Sequence, residues 1–125
     1  MYSLMFHAVQ PVLPVRDVPA AIRFYERLGF RCSFADDPAS PRYAAVNRNG
    51  VELHLQWHDA ADFRSLESDT LMLRFVVDNP DALFEEYQKQ GVVPEGKTVR
   101  DTPWGTREFA FFDPDGNGLT FYRSR

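Results

Sequence analysis

Val51 to Trp57 alternates without a break. Val51, Leu53, Leu55 and Trp57 fall on one side, and Glu52, His54, Gln56 and the following His58 on the other. That spacing predicts a strand with one dry and one polar face. Upstream, Ala21, Phe24, Tyr25 and Leu28 stand at i, i+3, i+4 and i+7, which predicts a helix from about Pro19 to Leu28 with one buried stripe. Pro19 suits its first turn, Asp17 is close enough to cap it, and Gly29 can end it. Between the two lie a short strand, Arg31 to Phe34, a loop from Asp36 to Pro41 rich in Asp, Pro and Ser, and a strand from Tyr43 to Val46. Asn47-Arg48-Asn49-Gly50 then reads as a hairpin turn. Ala8 to Val15 reads as a first strand, and Pro11 and Pro14 point to a sheet edge, or to a face where a neighbour does not need the amide.

The same pattern occurs again. Asp17 and Pro19 have counterparts 61 residues later in Asp78 and Pro80, and Gly29 has one 62 residues later in Gly91. Leu71 to Val77 predicts a strand. Pro80 to Gln90 predicts a helix burying Pro80, Leu83, Phe84 and Tyr87. Val92-Val93 opens an extended segment, Thr102-Pro103-Trp104-Gly105 a loop, and Arg107 to Phe112 a strand. Asp113 to Gly118 is a turn and Leu119 to Arg123 a closing strand. Asp59 to Asp69 is a polar connector too ordinary to divide domains. The order is βαβββ twice, an α+β fold. Module one covers about 6–58 and module two about 70–125 of a single domain, 1–125. Each helix covers the apolar face of its sheet, and sheet twist makes two such sheets side by side enclose a trough.

Bulk properties narrow the function. At 125 residues, neither half can bury a full core alone. A net charge of −4 with no basic run argues against nucleic-acid binding, and the acidic excess is compatible with a cationic ligand. Cys32 is the single cysteine, so no intrachain disulfide forms and a reducing, cytoplasmic setting is expected. The start of the chain does not read as a signal peptide, and no apolar run approaches the ~20 residues of a membrane span.

Val12-Leu13-Pro14-Val15-Arg16-Asp17, Phe24-Tyr25 and Leu28-Gly29-Phe30, with Glu108-Phe109 and Asp113-Pro114-Asp115-Gly116-Asn117, resemble the vicinal oxygen chelate superfamily over nearly the whole chain. That group includes glyoxalase I, extradiol dioxygenases, fosfomycin resistance enzymes and bleomycin-resistance binding proteins. The resemblance implies paired βαβββ modules in a homodimer, with ligand sites at the subunit interface. In metal-dependent members, four His or Glu ligands converge on one divalent ion. By the same resemblance those four positions here are Gln10, His54 or Glu52 (depending on strand register), Met72 and Thr120. Gln, Met and Thr are poor ligands for zinc, nickel or iron. The metal site therefore reads as lost, with no cofactor. The comparison moves to the bleomycin-resistance branch, which Asp17-Val18-Pro19, Asp81-Ala82-Leu83 with Glu85-Glu86, and Arg107-Glu108-Phe109-Ala110 resemble most.

The expected ligand-binding residues are Gln10, Phe34, Glu52, His54, Met72, Arg74, Trp104 and Thr120, with none assigned as catalytic. Trp104, in a Pro-Gly loop, is either a stacking wall for a ligand or a loop anchor. Phe34 lines the trough or packs in the core. Arg74 shares a face with Met72 and points to an anionic ligand group or to a pairing with Glu52. Glu52 and His54 share a face as an acid–base pair or as plain polar neighbours. His54 and His58 would stand ~13 Å apart, too far to share an ion. Trp57 reads as core, and Cys32 as a small strand residue. The function expected is a metal-independent protein of the bleomycin-resistance type, sequestering a flat, aromatic or cationic small molecule at a homodimer interface. The alternative is a glyoxalase-like lyase or isomerase, or a dioxygenase, of the same superfamily.

Overall fold

A computed structural model describes residues 4–59 and 71–125; most of the polar connector lies outside them. The elements run β1 (Val12–Val15), α1 (Val18–Arg27), β2 (Arg31–Ala35), β3 (Tyr43–Arg48), β4 (Val51–Trp57), β5 (Met72–Val76), α2 (Pro80–Lys89), β6 (Arg100–Asp101), β7 (Thr106–Phe112) and β8 (Gly118–Ser124). The strands form two four-stranded sheets of like order, β1-β4-β3-β2 and β5-β8-β7-β6. In each sheet the first strand pairs in parallel with the last, and the remaining pairs are antiparallel.

Local chemistry accounts for the helices. The Asp17 side chain accepts the Ala20 amide at 3.0 Å, and Asn79, 62 residues on, accepts the Ala82 amide at the same distance. Asn79, not Asp78, is thus the second cap. Ala21, Tyr25 and Leu28 are buried on α1, and Pro80 and Tyr87 on α2. Phe24, Leu83 and Phe84 pack at the margin of the same core.

β1 is shorter than the pattern predicts. Pro11 accepts the His54 amide through its carbonyl at 2.9 Å but has no amide to return. The ladder stops there, and residues 4–10 lie exposed ahead of the sheet.

One apolar core serves both modules. It joins Leu13, Val15, Leu53 and Leu55 of the first sheet to Phe109, Phe111, Leu119 and Phe121 of the second. Phe75 stacks on Phe121 at 4.9 Å and meets Phe30 of the other module at 6.3 Å. The helix-covered faces therefore look inward at each other, and the open face of each sheet turns outward, away from its twin.

Two tyrosines related by the repeat lock the modules together. Tyr25 donates to Asp113 at 2.7 Å, and Tyr87 donates to the Leu28 carbonyl at 2.8 Å. Burial pushes the Tyr25 phenol well above its ordinary value, reinforced by the Asp113 carboxylate. Burial likewise pushes Tyr87 up to about 12, against the opposing Arg48 charge. Arg48 also reaches the Leu28 carbonyl and Glu86, both at 2.8 Å.

Gly29 sits under this clamp at φ +87°, where a Cβ would lie 2.5 Å from the Arg48 guanidinium. Gly29→Ala should cost about 2 kcal/mol, adding displacement of Arg48 to the left-handed backbone penalty. Gly50→Ala, at φ +83° with nothing within 4 Å, carries only the backbone cost. Urea unfolding of the two variants would refute the clash if Gly29→Ala proved no worse than Gly50→Ala.

Candidate functional site

The open face of the first sheet carries a row set by register. Val12 pairs with His54, His54 with Ala45, and Ala45 with Phe34. Phe34 is 54% exposed, so it belongs to the open face and not to the core. The Asn49-Gly50 turn, with both residues at positive φ, closes the β3–β4 hairpin so that Tyr43 lies diagonally across from His54. Tyr43 Oη meets His54 Nδ1 at 2.6 Å, and His54 Nε2 meets Glu52 Oε2 at 2.7 Å. The pairing expected between Glu52 and His54 exists, and Tyr43 is the partner missed. Its signal was present: counting back from the turn places Tyr43 beside His54.

The loop before Tyr43 is folded around one carboxylate. Asp36 accepts the amides of Asp37, Arg42 and Tyr43 at 2.8–3.2 Å. These donors, Arg42 first, hold its pKa below the ordinary carboxylate value. Cys32 is exposed on β2, its thiol 3.3 Å from the Phe34 carbonyl.

The second sheet presents Met72, Arg74 and Val76 on its open face, all exposed. Arg74 pairs with Glu108 at 3.3 Å and lies 4.2 Å over the Tyr122 ring; Glu52, on the other sheet, is not its partner. Glu108 is buried and also accepts from Thr106 at 2.8 Å. Thr120 lies in the same face between Arg74 and Ala110, 3% exposed, so its side chain offers little surface. Met72 is paired with Gly118, and its thioether covers that glycine. Trp104, in the β6–β7 loop, is 60% exposed with Arg100 5.6 Å above its ring, so it is not buried as an anchor.

Trp57 differs from its expected core position. It ends β4 38% exposed, with Arg42 4.3 Å over its ring. Gln10 lies exposed ahead of β1, outside the sheet. Within one chain the candidates therefore form two groups. Phe34, Glu52 and His54 stand on one outward face, Met72, Arg74 and Thr120 on the other. A cavity of about 710 Å³ lies elsewhere, at the seam bordered by β5, the Arg48–Val51 hairpin and the start of α2; of the candidates, only Arg74 borders it.

A sequence profile of the Glyoxalase/Bleomycin resistance protein/Dioxygenase superfamily matches residues 5–121. The chain belongs to this superfamily. Among relatives of the same superfamily type, the bleomycin resistance protein of Geobacillus stearothermophilus is 28% identical over 127 residues, 90% of this chain and 93% of that protein. A bleomycin-binding protein from the bleomycin-producing Streptomyces verticillus, solved with copper(II)-bleomycin, is 30% identical, with a TM-score of 0.75 over 98% of this chain and 100% of that one. A bleomycin resistance determinant encoded on transposon Tn5 shares the fold with a TM-score of 0.80 at 22% identity, over 96% and 99% of the two chains. The paired βαβββ architecture expected from the repeat is the architecture of these neighbours.

Metal-dependent superfamily members need convergent hard or borderline ligands, and the donor set here does not fit. Gln10 is off the sheet, both His54 nitrogens are engaged, Met72 is a soft thioether, and Thr120 is buried. Among the described residues, no three His, Cys, Asp or Glu side chains cluster to hold an ion. No helix of the described residues is long and apolar enough to cross a membrane.

Proposed function

We propose that this protein is a cytoplasmic drug-binding protein of the bleomycin-resistance type, working as a homodimer. The observation that carries the reading is the full-length likeness, at 30% identity, to a protein solved with copper(II)-bleomycin. The arrangement of the chain supports a two-copy site. Its two outward sheet faces cannot meet within one protomer, but two copies can set the Phe34–His54 face of one against the Met72–Arg74 face of the other. Leu4, Phe6 and Val9, exposed by 86, 97 and 88%, form an exposed apolar arm of the kind that seeks a partner surface.

The ligand chemistry that fits is flat and cationic. Arg42, Arg74 and Arg100 each lie over an aromatic ring, of Trp57, Tyr122 and Trp104. A ring that holds a guanidinium also holds a planar cationic or heteroaromatic group. Phe34 and Trp104 supply exposed apolar walls, and Glu52 and His54 supply polar contacts that set orientation. Binding of this kind would confer resistance by sequestering the drug.

Titration with bleomycin, followed by tryptophan fluorescence, tests the reading. Saturable binding is expected, and Phe34→Ala should weaken it about 10-fold by removing one aromatic wall. Absence of saturable binding of both metal-free and copper-loaded bleomycin at ~1 mM would reject the proposal.

A further inference from the structure

We propose that Tyr43, His54 and Glu52 form a nucleophilic relay on the open face of the first sheet, able to take an acyl group from an activated aryl ester and pass it to water. This adds a reaction to the binding role and does not depend on which drug the protein holds.

The hydrogen bonds dictate the direction of the relay. An ionised carboxylate only accepts, so the 2.7 Å contact to Glu52 requires His54 to carry its proton on Nε2. In the neutral imidazole Nδ1 is then a bare acceptor, and the 2.6 Å contact to Tyr43 makes the phenol the donor. A hydroxyl donates to an imidazole, and the imidazole is oriented by a carboxylate, which is the arrangement that activates an oxygen nucleophile. Two adjacent strands hold it: Tyr43 comes from β3, and His54 and Glu52 from the same face of β4. The two rings meet edge to face, 5.3 Å apart at 80°. The His54 and Glu52 side chains keep 19 and 29% of their surface open, so the relay is not sealed in a core. Ala45 pairs with both His54 and Phe34, and exposed Phe34 offers a ring beside the relay on which an aryl group can stack.

The steps balance. Tyr43 Oη attacks the ester carbonyl as its proton passes to His54 Nδ1. The carbon–oxygen bond to the aryl group breaks, and the aryloxide leaves, taking that proton directly or through water. An acyl-Tyr43 ester remains. Water then gives a proton to His54 Nδ1 as its oxygen attacks the acyl carbon, Tyr43 leaves and recovers the proton, and the free acid departs. Net, one ester and one water become one acid and one phenol. Tyr43 and His54 are the reacting groups, and Glu52 is a positioning residue that fixes the tautomer.

The test uses p-nitrophenyl acetate with the full chain. A burst approaching one p-nitrophenolate per chain is expected, with one acetyl group found on the peptide containing Tyr43 by mass spectrometry. Tyr43→Phe should abolish that adduct and slow hydrolysis on the order of 100-fold. Glu52→Gln should move the pH profile of the burst, which a merely structural contact would not do. The proposal is overturned if the acetyl group lands on Cys32 or a lysine instead, or if Tyr43→Phe, folded by circular dichroism, hydrolyses at the wild-type rate. Because the adduct is located in the unmodified protein, an unstable variant leaves the test intact.

Discussion

Asp113→Ala should lower the thermal midpoint by roughly 10–15 °C, a loss of about 3 kcal/mol. Few side chains in this chain hold as much together. The Asp113 carboxylate accepts the buried Tyr25 hydroxyl at 2.7 Å, the amides of Asp115 and Asn117 at 2.9 and 2.8 Å, and the Asn117 side-chain amide at 2.9 Å. Asn117 in turn donates to the Pro14 carbonyl of the first module at 3.2 Å. Removing the carboxylate leaves a phenol and two amides without an acceptor at the seam between modules, where water has little access.

The same site has a pH signature. Burial, more than its donors can offset, pushes the Asp113 carboxyl above its ordinary value of 3.8. The folded protein therefore binds a proton there more readily than the unfolded chain does. The stability this contributes is fully present below 3.8 and is lost as pH rises through the higher, folded value. Asp81 and Asp36 run the other way. The Arg107 hydrogen bond holds Asp81 below the ordinary range, so its contribution disappears as pH falls. Comparison with Asp113→Asn isolates the one group. The stability difference, wild type minus variant, should shrink as pH rises from below 3.8 to neutrality. A difference independent of pH, or an Asp113→Ala midpoint within 2 °C of wild type, would show that Asp113 is not the fastening described.

Replacing both Phe6 and Val9 with Glu should convert the proposed dimer to monomer and weaken the proposed bleomycin binding on the order of 100-fold, about 2.7 kcal/mol. Both side chains are almost fully exposed on the protomer, so the change should leave its stability within ~0.5 kcal/mol of wild type. The loss would fall on the proposed contact between copies, and on binding only if each copy supplies half of the lining. Light scattering at micromolar concentration would give the assembly state, and the fluorescence titration would give the affinity. A dimer that survives the double substitution would remove the arm from the interface. A monomer with unchanged affinity would place the whole site within one chain and end the two-copy reading.

Much of the candidate site was legible where a short-range rule applies. Period-two alternation put Glu52 and His54 on one face, and the contact between them at 2.7 Å follows from that spacing. Alternation likewise put Met72 and Arg74 on one face of β5. Elsewhere the rule ended before the element did. Trp57 continues the apolar side of β4, yet it lies 38% exposed under the Arg42 guanidinium, although its pair partner Val15 is fully buried. Gln10 continues an apparent strand, yet a strand exists only where a neighbour completes its ladder, and Pro11 cannot. Arg74 found Glu108 on β7, separated from it by 34 residues, and no local pattern distinguishes that carboxylate from Glu52.

Residue patterns alone established both helices, most of the strands, the repeat and the family resemblance; the fourth strand of the second sheet is Arg100–Asp101, not the segment that Val92-Val93 opens. Helical and strand periods, caps and turns act over a few residues, and two copies of one pattern betray a paired fold. The tertiary structure alone decided how the modules face. Both sheets turn their apolar sides to one shared core, because neither half buries enough surface alone. That choice sends the two polar faces outward, separates the candidate residues into two groups, and brings Tyr43 against His54 through a hairpin register that the residue pattern leaves implicit.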